Sequence, residues 1–270
     1  MGKPYVDEEN IGVTDDELTS CINTDVSWDS ATNNTCMGVD QRSGNLHVVI
    51  AKNVNNKLRL VHIEVIDNQA TRYKVEGKII TPFKRLYTLM NEYDVDLCVI
   101  DALPNANEAK DFARAFPSRV FIAYYKDSTE IVRWSDKSTG AKSSEKSHNR
   151  RSIDDLKFKW VVLIDRYKGI DYAVQQWVNR RVECPNPRGL VQEIRDEKTG
   201  LYQPTFVCEA VFFLHLKSIV RELVQSRNDP TNYRYKWIYT GLDPHFTHAF
   251  TYLVVAAGRK KRSFSFDFLG

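Results

Sequence analysis

The sequence predicts an α/β fold in which a three-stranded antiparallel meander joins parallel strands in one mixed sheet flanked by helices. Three strand-like runs, at residues 36–40, 46–52 and 58–66, are separated by short links rich in turn-forming residues. Helical segments with one apolar face then alternate with short apolar runs, which is the pattern of parallel strands connected by crossover helices. We therefore predict one domain over residues 31–270, preceded by an acidic connector at residues 1–30.

The first helices are predicted from their capping signals. In the connector, Thr14 and Glu17 have the spacing of a capping box, so a short helix is expected over about residues 15–23. In the domain, the first crossover helix is predicted at residues 81–93. Pro82 suits the first helical position there, and apolar residues recur on one helical face.

The middle of the chain continues the alternation of strands and helices. The apolar run 95–101 predicts a strand that is buried on both faces and parallel to a neighbour. A helix at residues 106–116 and a strand at residues 120–125 follow it. A further strand is predicted at residues 160–164, and a helix over residues 170–181 ends before two prolines.

The remaining segments are assigned from their spacing of apolar residues. Residues 207–224 are predicted to form one long helix, and residues 235–240 a strand. Pro244 opens an apolar helix that continues to about residue 257. Residues 136–155 are polar and read as a mobile loop or insertion.

Composition excludes several classes of protein. Hydrophobic residues make up 42% of the chain and charged residues 27%, which excludes a disordered chain. No run approaches the roughly 18 uncharged apolar residues that span a bilayer, so no membrane association is expected. Five cysteines without a C-x-x-C pair argue against structural zinc and against a disulfide framework. The acidic N-terminus lacks the pattern of a secretory signal, so an intracellular protein is expected.

The net charge of +3 is unevenly distributed along the chain. Residues 1–30 contain eight acidic residues against Lys3, so the rest of the chain is strongly basic. A basic body favours association with a polyanion, although charge alone specifies neither a fold nor a reaction.

Three aspartates are the candidates for chemistry. Asp40 and Asp101 each end an apolar strand, and parallel neighbouring strands would bring both carboxylates to one edge of the sheet. Asp243 follows the late predicted strand and precedes Pro244, at the start of the last helix. Converging carboxylates repel one another unless a cation neutralises them, and oxygen ligands suit Mg²⁺ or Mn²⁺ better than Zn²⁺.

Other residues near these positions have structural interpretations. Asp243 also suits a helix N-cap, and Asp40 a turn residue. Asp165 ends another strand, but Arg166 follows it and a salt-bridged structural role is expected. His245 and His248 share a face of the last helix, where support of Asp243 or plain packing is favoured over a zinc pair.

The three acidic motifs carry a family resemblance. They are Met-Gly-Val-Asp40, Val-Ile-Asp101-Ala-Leu-Pro-Asn and Asp243-Pro-His-Phe-Thr-His-Ala-Phe-Thr-Tyr. In this order they resemble the nuclease domain of the large terminase subunit of tailed bacteriophages, which has a ribonuclease H-like fold. The resemblance covers about residues 31–258.

The resemblance implies a metal-dependent endonuclease that cuts concatemeric double-stranded viral DNA during genome packaging. Asp40, Asp101 and Asp243 would be catalytic residues that bind two divalent cations, Mg²⁺ or Mn²⁺. The implied partners are double-stranded DNA, the small terminase subunit and the portal protein, in the cytoplasm of the bacterial host. The family's ATPase half needs the pattern G-x-x-x-x-G-K-[ST], which this sequence lacks, so the chain is expected to be the nuclease portion of a longer protein.

Two basic segments are candidates for contacts to the DNA backbone. The first is the polar insertion, with Lys137, Lys142, Lys146, Arg150 and Arg151. The second is the basic run at residues 259–262. For each, the alternative is a solvated segment without a binding role.

Other functions remain open on the sequence alone. A Holliday-junction resolvase, an RNA:DNA hybrid nuclease or a transposase would share the acidic residues. An actin-like ATPase would need a second half that repeats the first, and residues 136–270 do not repeat it. A non-catalytic module that binds DNA or a portal would use the aspartates structurally.

Overall fold

The computed structural model describes residues 12–28, 33–42, 44–67, 74–75, 78–79, 81–135, 159–196, 199–225 and 233–260. The helices are α1 (Asp15–Ser20), α2 (Pro82–Glu92), α3 (Ala106–Ala115), α4 (Arg166–Val178), α5 (Phe213–Lys217) and α6 (His245–Lys260). The strands are β1 (Thr35–Gln41), β2 (Asn45–Val54), β3 (Lys57–Asp67), β4 (Lys74–Val75), β5 (Lys78–Ile79), β6 (Val95–Asp101), β7 (Val120–Tyr125), β8 (Val132–Trp134), β9 (Val161–Ile164), β10 (Val182–Glu183), β11 (Val191–Arg195), β12 (Tyr202–Phe206), β13 (Ile219–Gln225) and β14 (Tyr233–Tyr239).

The central sheet has eight strands in the order β10-β3-β2-β1-β6-β7-β9-β8. β1, β2 and β3 form an antiparallel meander, whereas β6 is parallel to β1, β7 to β6 and β9 to β7. The predicted mixed sheet, with a three-stranded meander followed by parallel strands, is therefore confirmed. This mixed sheet, flanked by helices, has the architecture predicted from the sequence.

Helices cover both faces of this sheet. One apolar core, on what we call the α2 face, joins the sheet to α2 and α3, with Phe112 completely buried. The other core, on the α6 face, joins the sheet to α4 and α6. Because side chains alternate along a strand, Val39 of β1 points to the α2 face and its neighbours Gly38 and Asp40 point to the α6 face.

Close packing of α6 on β1 depends on a glycine. A Cβ atom at Gly38 would lie 2.0 Å from the carbonyl oxygen of Ala249 and 2.3 Å from the amide nitrogen of Leu253. Both contacts are with the backbone of α6, which a side-chain rotation cannot relieve. Gly38 therefore allows α6 to lie directly on β1 and fixes where the helix begins relative to the end of that strand.

The predicted α1 forms with both hydrogen bonds of its capping box. Glu17 N donates to Thr14 Oγ1, and Thr14 N donates to the Glu17 carboxylate at 2.7 Å. The side chains of Leu18 and Cys21 are buried in the core on the α6 face. Part of the acidic segment thus packs on the domain, while the predicted boundary at residue 30 stays a prediction.

The prediction of one long helix over residues 207–224 is wrong. A π-helical turn at Cys208–Phe212 and the short α5 end at Ser218, and β13 follows in antiparallel pairing with β14. The run from Ile219 onward is rich in β-branched and apolar residues, so its spacing suits either a helix or a strand. Pairing with β14 decides in favour of the strand.

Several smaller features also differ from expectation. β14 occupies the predicted strand 235–240 but pairs only with β13, outside the central sheet. The hairpin of β11 and β12 and the short strands β4, β5, β8 and β10 were not predicted. Asp165 does not pair with Arg166; its carboxylate caps α4 by accepting a hydrogen bond from the Lys168 amide at 3.0 Å. It also accepts one from the amide of Ser128, in the loop between β7 and β8, at 3.0 Å.

Two further expectations concern cysteines and membrane spans. All five cysteines are buried, and none of them forms a disulfide. None of the helices in the described part of the chain combines the length and the apolar character that a bilayer crossing needs.

Candidate active site

The ends of β1 and β6 bring Asp40 and Asp101 side by side. Val39 and Ile100 are register partners in the parallel pair, so the aspartates that follow them occupy equivalent positions on adjacent strands. Both side chains point to the α6 face, where Asp40 is only 4% exposed. Gln41 joins the two strand ends, because its amide donates to the Asp101 carbonyl oxygen. The sequence prediction that these two carboxylates meet at one edge agrees with this register.

The aspartate pair, Asp40 and Asp101, is held in an environment that disfavours its charge. Burial raises the pKa of Asp40 to about 6, even though a hydrogen bond and the charge of His245 act in the opposite direction. Burial and the neighbouring charge of Asp40 raise the pKa of Asp101 to about 7. Neither carboxylate forms an ion pair with a lysine or arginine of the described residues. The protein therefore keeps the buried Asp40 and the half-buried Asp101 close together without a lysine or arginine partner, which is the electrostatic condition of a cation site.

The start of α6 places His245 against the pair. Its Nδ1 atom lies 2.7 Å from Oδ2 of Asp40, and its Nε2 atom lies 3.9 Å from Oδ2 of Asp243. Asp243 is largely exposed, with 62% of its side chain accessible. Its charge adds to the raised pKa of Asp40. The third predicted aspartate thus lies at the exposed side of the site, next to His245.

His248, the other predicted supporting residue, contacts a different part of the site. Its Nδ1 atom is 2.8 Å from the Tyr125 hydroxyl, and its Nε2 atom is 3.4 Å from the Tyr239 hydroxyl. The Arg166 guanidinium lies 5.6 Å from the ring centres of both tyrosines. Its positive charge lowers the pKa of Asp40 and of Asp101, against the dominant effect of burial. His248 therefore supports the tyrosines around Arg166 and has no hydrogen bond to Asp243.

Two histidines that the sequence analysis did not single out complete the site. His47 of β2 is the register partner of Asp40, and its ring stacks on His245 with 4.8 Å between ring centres. His215 of α5 lies 5.7 Å from His47, centre to centre. Burial, together with the charge of His245, lowers the pKa of His47 well below its usual value and that of His215 to about 4. Both rings are therefore neutral at pH 7, the form in which imidazole binds metals.

The donor atoms present suit a divalent cation. Asp40, His47 and His245 each offer a ligand atom, and these atoms lie within 4.8 Å of one another. Asp101 adds a carboxylate beside Asp40 on the adjacent strand. Carboxylate oxygens suit Mg²⁺ and Mn²⁺, whereas imidazole nitrogens suit transition metals.

The predicted contacts to the DNA backbone stay predictions. Lys137, Lys142, Lys146, Arg150 and Arg151 lie outside the described residues. In the second basic run, Arg259 is described: its guanidinium lies 4.3 Å from the ring centre of Phe121 and 4.2 Å from that of Trp134. This packing holds the guanidinium against the end of the sheet, and the contact of the basic run with DNA stays a prediction.

Comparison with known proteins gives matches among solved structures only. No family model and no curated protein matches this chain. The large terminase of a thermophilic bacteriophage is similar over 91% of this chain and 45% of that one, with 11% identity and a TM-score of 0.46. The large terminase nuclease of the thermophilic phage G20c, with bound magnesium, is similar over 90% of this chain and 95% of that one, with 10% identity and a TM-score of 0.44. This chain thus spans less than half the length of the first of these two proteins. Both are large terminase structures, the family that the three sequence motifs resemble.

Proposed function

We propose that this chain is a metal-dependent endonuclease that cleaves double-stranded DNA. The observation that carries the proposal is the aspartate pair: a buried and a half-buried carboxylate at equivalent ends of parallel strands, with raised pKa values and no lysine or arginine paired to them among the described residues. Burying a charge without a partner is costly, so a site of this kind is maintained for a ligand that supplies the positive charge.

The residues of the site have separate tasks in this proposal. Asp40 and Asp101 would hold divalent cations, and Asp243 would add a ligand from the exposed side. When bound, two such ions activate water for attack at phosphorus and stabilise the leaving oxygen. His245 orients the Asp40 carboxylate through its 2.7 Å contact. Arg166, held between Tyr125 and Tyr239, supplies a fixed positive charge near the substrate phosphate.

The identity of the substrate follows from the resemblance of the three motifs. By analogy with the large terminases, we propose that the DNA is a viral concatemer cut during genome packaging in the host cytoplasm. The small terminase subunit, the portal protein and an ATPase domain would be the partners. Lys137, Lys142, Lys146, Arg150 and Arg151 are proposed to contact DNA phosphates, which would give little sequence preference.

A plasmid cleavage assay tests the proposal. Supercoiled plasmid is incubated with the wild type, with Asp101→Ala and with a matched control, Asp111→Ala. Asp111 is an exposed aspartate of α3 whose carboxylate contacts Arg114, and α3 packs on the face of the sheet opposite the candidate site. Each protein is assayed with EDTA, Mg²⁺ and Mn²⁺. We expect metal-dependent nicking and linearisation by the wild type and by Asp111→Ala, and none by Asp101→Ala.

Other substrates separate the related activities. A four-way junction or an RNA:DNA hybrid that is cleaved faster than linear duplex would favour a resolvase or hybrid nuclease. Metal-independent DNA binding without cleavage of any substrate would contradict the proposal and favour a binding module.

A further inference from the structure

The histidines beside Asp40 include two buried ring nitrogens that have no partner. Among the described residues, neither Nδ1 of His47 nor Nε2 of His245 has a hydrogen-bond partner. His47 is only 4% exposed, so its free nitrogen has no access to bulk water. Buried polar atoms are normally satisfied, and an exception calls for a ligand or another specific cause.

The position of His47 follows from the hairpin of β1 and β2. The antiparallel register pairs His47 with Asp40, so both side chains leave the sheet on the α6 face. The edge of the Phe246 ring closes the site from one side, with 4.9 Å between its centre and that of His47. The unpartnered nitrogen is therefore held beside the carboxylate by the register of a strand pair and by packing.

His245 is held against the same carboxylate. Its Nδ1 atom lies 2.7 Å from Oδ2 of Asp40, and its ring stacks on that of His47 with 4.8 Å between ring centres. One ligand atom from each of Asp40, His47 and His245 lies within 4.8 Å of the other two, so these three side chains are close enough to hold one metal ion.

We propose that Asp40, His47 and His245 form a mixed oxygen and nitrogen site for a first-row transition-metal ion. The inference deepens the proposed nuclease function, because it assigns imidazole ligands to one metal position of the same site. It differs from the all-carboxylate ligand set expected from the sequence. Imidazole favours transition metals over Mg²⁺, so this position would bind Mn²⁺, Co²⁺ or Zn²⁺ more tightly than Mg²⁺.

Pulsed electron paramagnetic resonance of bound Mn²⁺ tests this ligand set without any cleavage assay. Nitrogen nuclei of coordinated imidazoles modulate the Mn²⁺ signal, whereas carboxylate and water ligands do not. We expect nitrogen modulation in the wild type and a weaker signal in His47→Gln, with Mn²⁺ affinity reduced at least about tenfold. His62→Gln is the matched control, because His62 is a histidine of the opposite face that contacts Glu64. It should leave the Mn²⁺ signal unchanged.

The outcomes distinguish this inference from the proposed function. Mn²⁺ bound without nitrogen modulation in the wild type would overturn the inference, even if DNA is cleaved. Nitrogen modulation without cleavage would support the inference while the nuclease proposal fails. Circular dichroism checks the fold of each variant, and His245→Gln replaces His47→Gln if the latter does not fold. An unchanged Mn²⁺ signal in a folded His47→Gln would also overturn the inference.

Discussion

Two clusters of buried carboxylates lie on opposite faces of the central sheet, and they differ in how their charge is compensated. On the α2 face, Oε2 of Glu64 lies 3.0 Å from Nη2 of Arg85 and 2.8 Å from Nε2 of His62. On the α6 face, Asp40 and Asp101 stand together, and the described residues give them no lysine or arginine partner within ion-pair distance. Both clusters lie on the same sheet. Glu64 and Asp40 are about equally buried, with 5% and 4% of their surface exposed.

The pKa directions of the two clusters are opposite. Burial acts to raise the pKa of Glu64, but hydrogen bonds and charges from His62 and Arg85 outweigh it and lower the pKa. Burial prevails at Asp40 and Asp101, whose pKa values are raised. The Glu64 cluster is thus neutralised by the chain itself, whereas no lysine or arginine of the described residues pairs with Asp40 or Asp101. This difference supports the proposed cation site at the aspartate pair.

The largest expected effect is on cleavage when the aspartate pair is broken. Asp40→Asn and Asp101→Asn should each lower the cleavage rate by about 10³-fold or more, which corresponds to ~4 kcal/mol of lost transition-state stabilisation. Rates are measured on supercoiled plasmid at saturating Mg²⁺ and Mn²⁺. Glu64→Gln should keep its cleavage rate per folded molecule, because its carboxylate lies on the other face. Equal losses in all three variants would remove the distinction between the clusters.

The next effect is on stability when the Glu64 cluster is broken. Glu64→Gln removes the buried carboxylate that pairs with His62 and Arg85 and leaves Arg85 with only the exposed Glu92, so the free energy of unfolding should fall by about 3 kcal/mol. Urea denaturation of the metal-free protein measures this loss. Asp101→Asn is the comparison, and it should not destabilise the metal-free protein because it removes an unfavourable buried charge. A stability loss in Asp101→Asn as large as that in Glu64→Gln would contradict this view of the pair.

The two clusters should also respond to pH in opposite directions. The pKa of Asp101 rises from 3.8 to about 7 on folding, so its favourable contribution exists at low pH and is lost as pH increases towards 7. The pKa of Glu64 falls below 4.5 on folding, so its contribution exists above that value and is lost on acidification. Between pH 4 and 7, the wild type in chelator should lose on the order of 4 kcal/mol of stability through Asp101, and Asp101→Asn should abolish this loss.

Urea midpoints at several pH values check this prediction. Glu64→Gln should flatten the plot of urea midpoint against pH only below about pH 4.5. Asp101→Asn should flatten it only between pH 3.8 and about 7, which are the pKa values of Asp101 in the unfolded and the folded protein. A urea midpoint of the wild type that rises steadily from pH 4 to 7 would mean that other residues of the chain compensate the negative charge of Asp40 and Asp101.

The sequence was sufficient for the parts of this site that depend on strand ends. Asp40 and Asp101 each end a buried apolar run, and the prediction that β1 and β6 are parallel neighbours placed them together. His47 was missed because it carries no signal by itself. Its position becomes evident only when the β1–β2 link is treated as a hairpin and residues are paired across it, a step that would have placed His47 opposite Asp40.

Tertiary context decided what local patterns left undetermined. Residues 219–225 have apolar spacing compatible with a helix or a strand, and only their partner β14 selects the strand. His215, which lies just before that strand, was hidden inside the wrongly predicted helix. Its contact with Phe246, whose amide donates to His215 Nδ1 at 3.3 Å, depends on the packing of α5 against α6. No pattern in one sequence encodes such a contact.

The smallest expected effect comes from replacing the arginine near each cluster with glutamine. On the α2 face this change should lower stability, whereas on the α6 face it should strengthen cation binding. Arg85→Gln removes the partner of Glu64 and should cost stability, as breaking that buried pair does. Arg166→Gln removes a positive charge that lowers the pKa of Asp40 and Asp101 without pairing with either of them. A bound cation then experiences less repulsion, so Mn²⁺ affinity should rise by about threefold, or ~0.7 kcal/mol. Calorimetric titration with Mn²⁺ measures this change, and a lower affinity would instead show that Arg166 holds the aspartates in position.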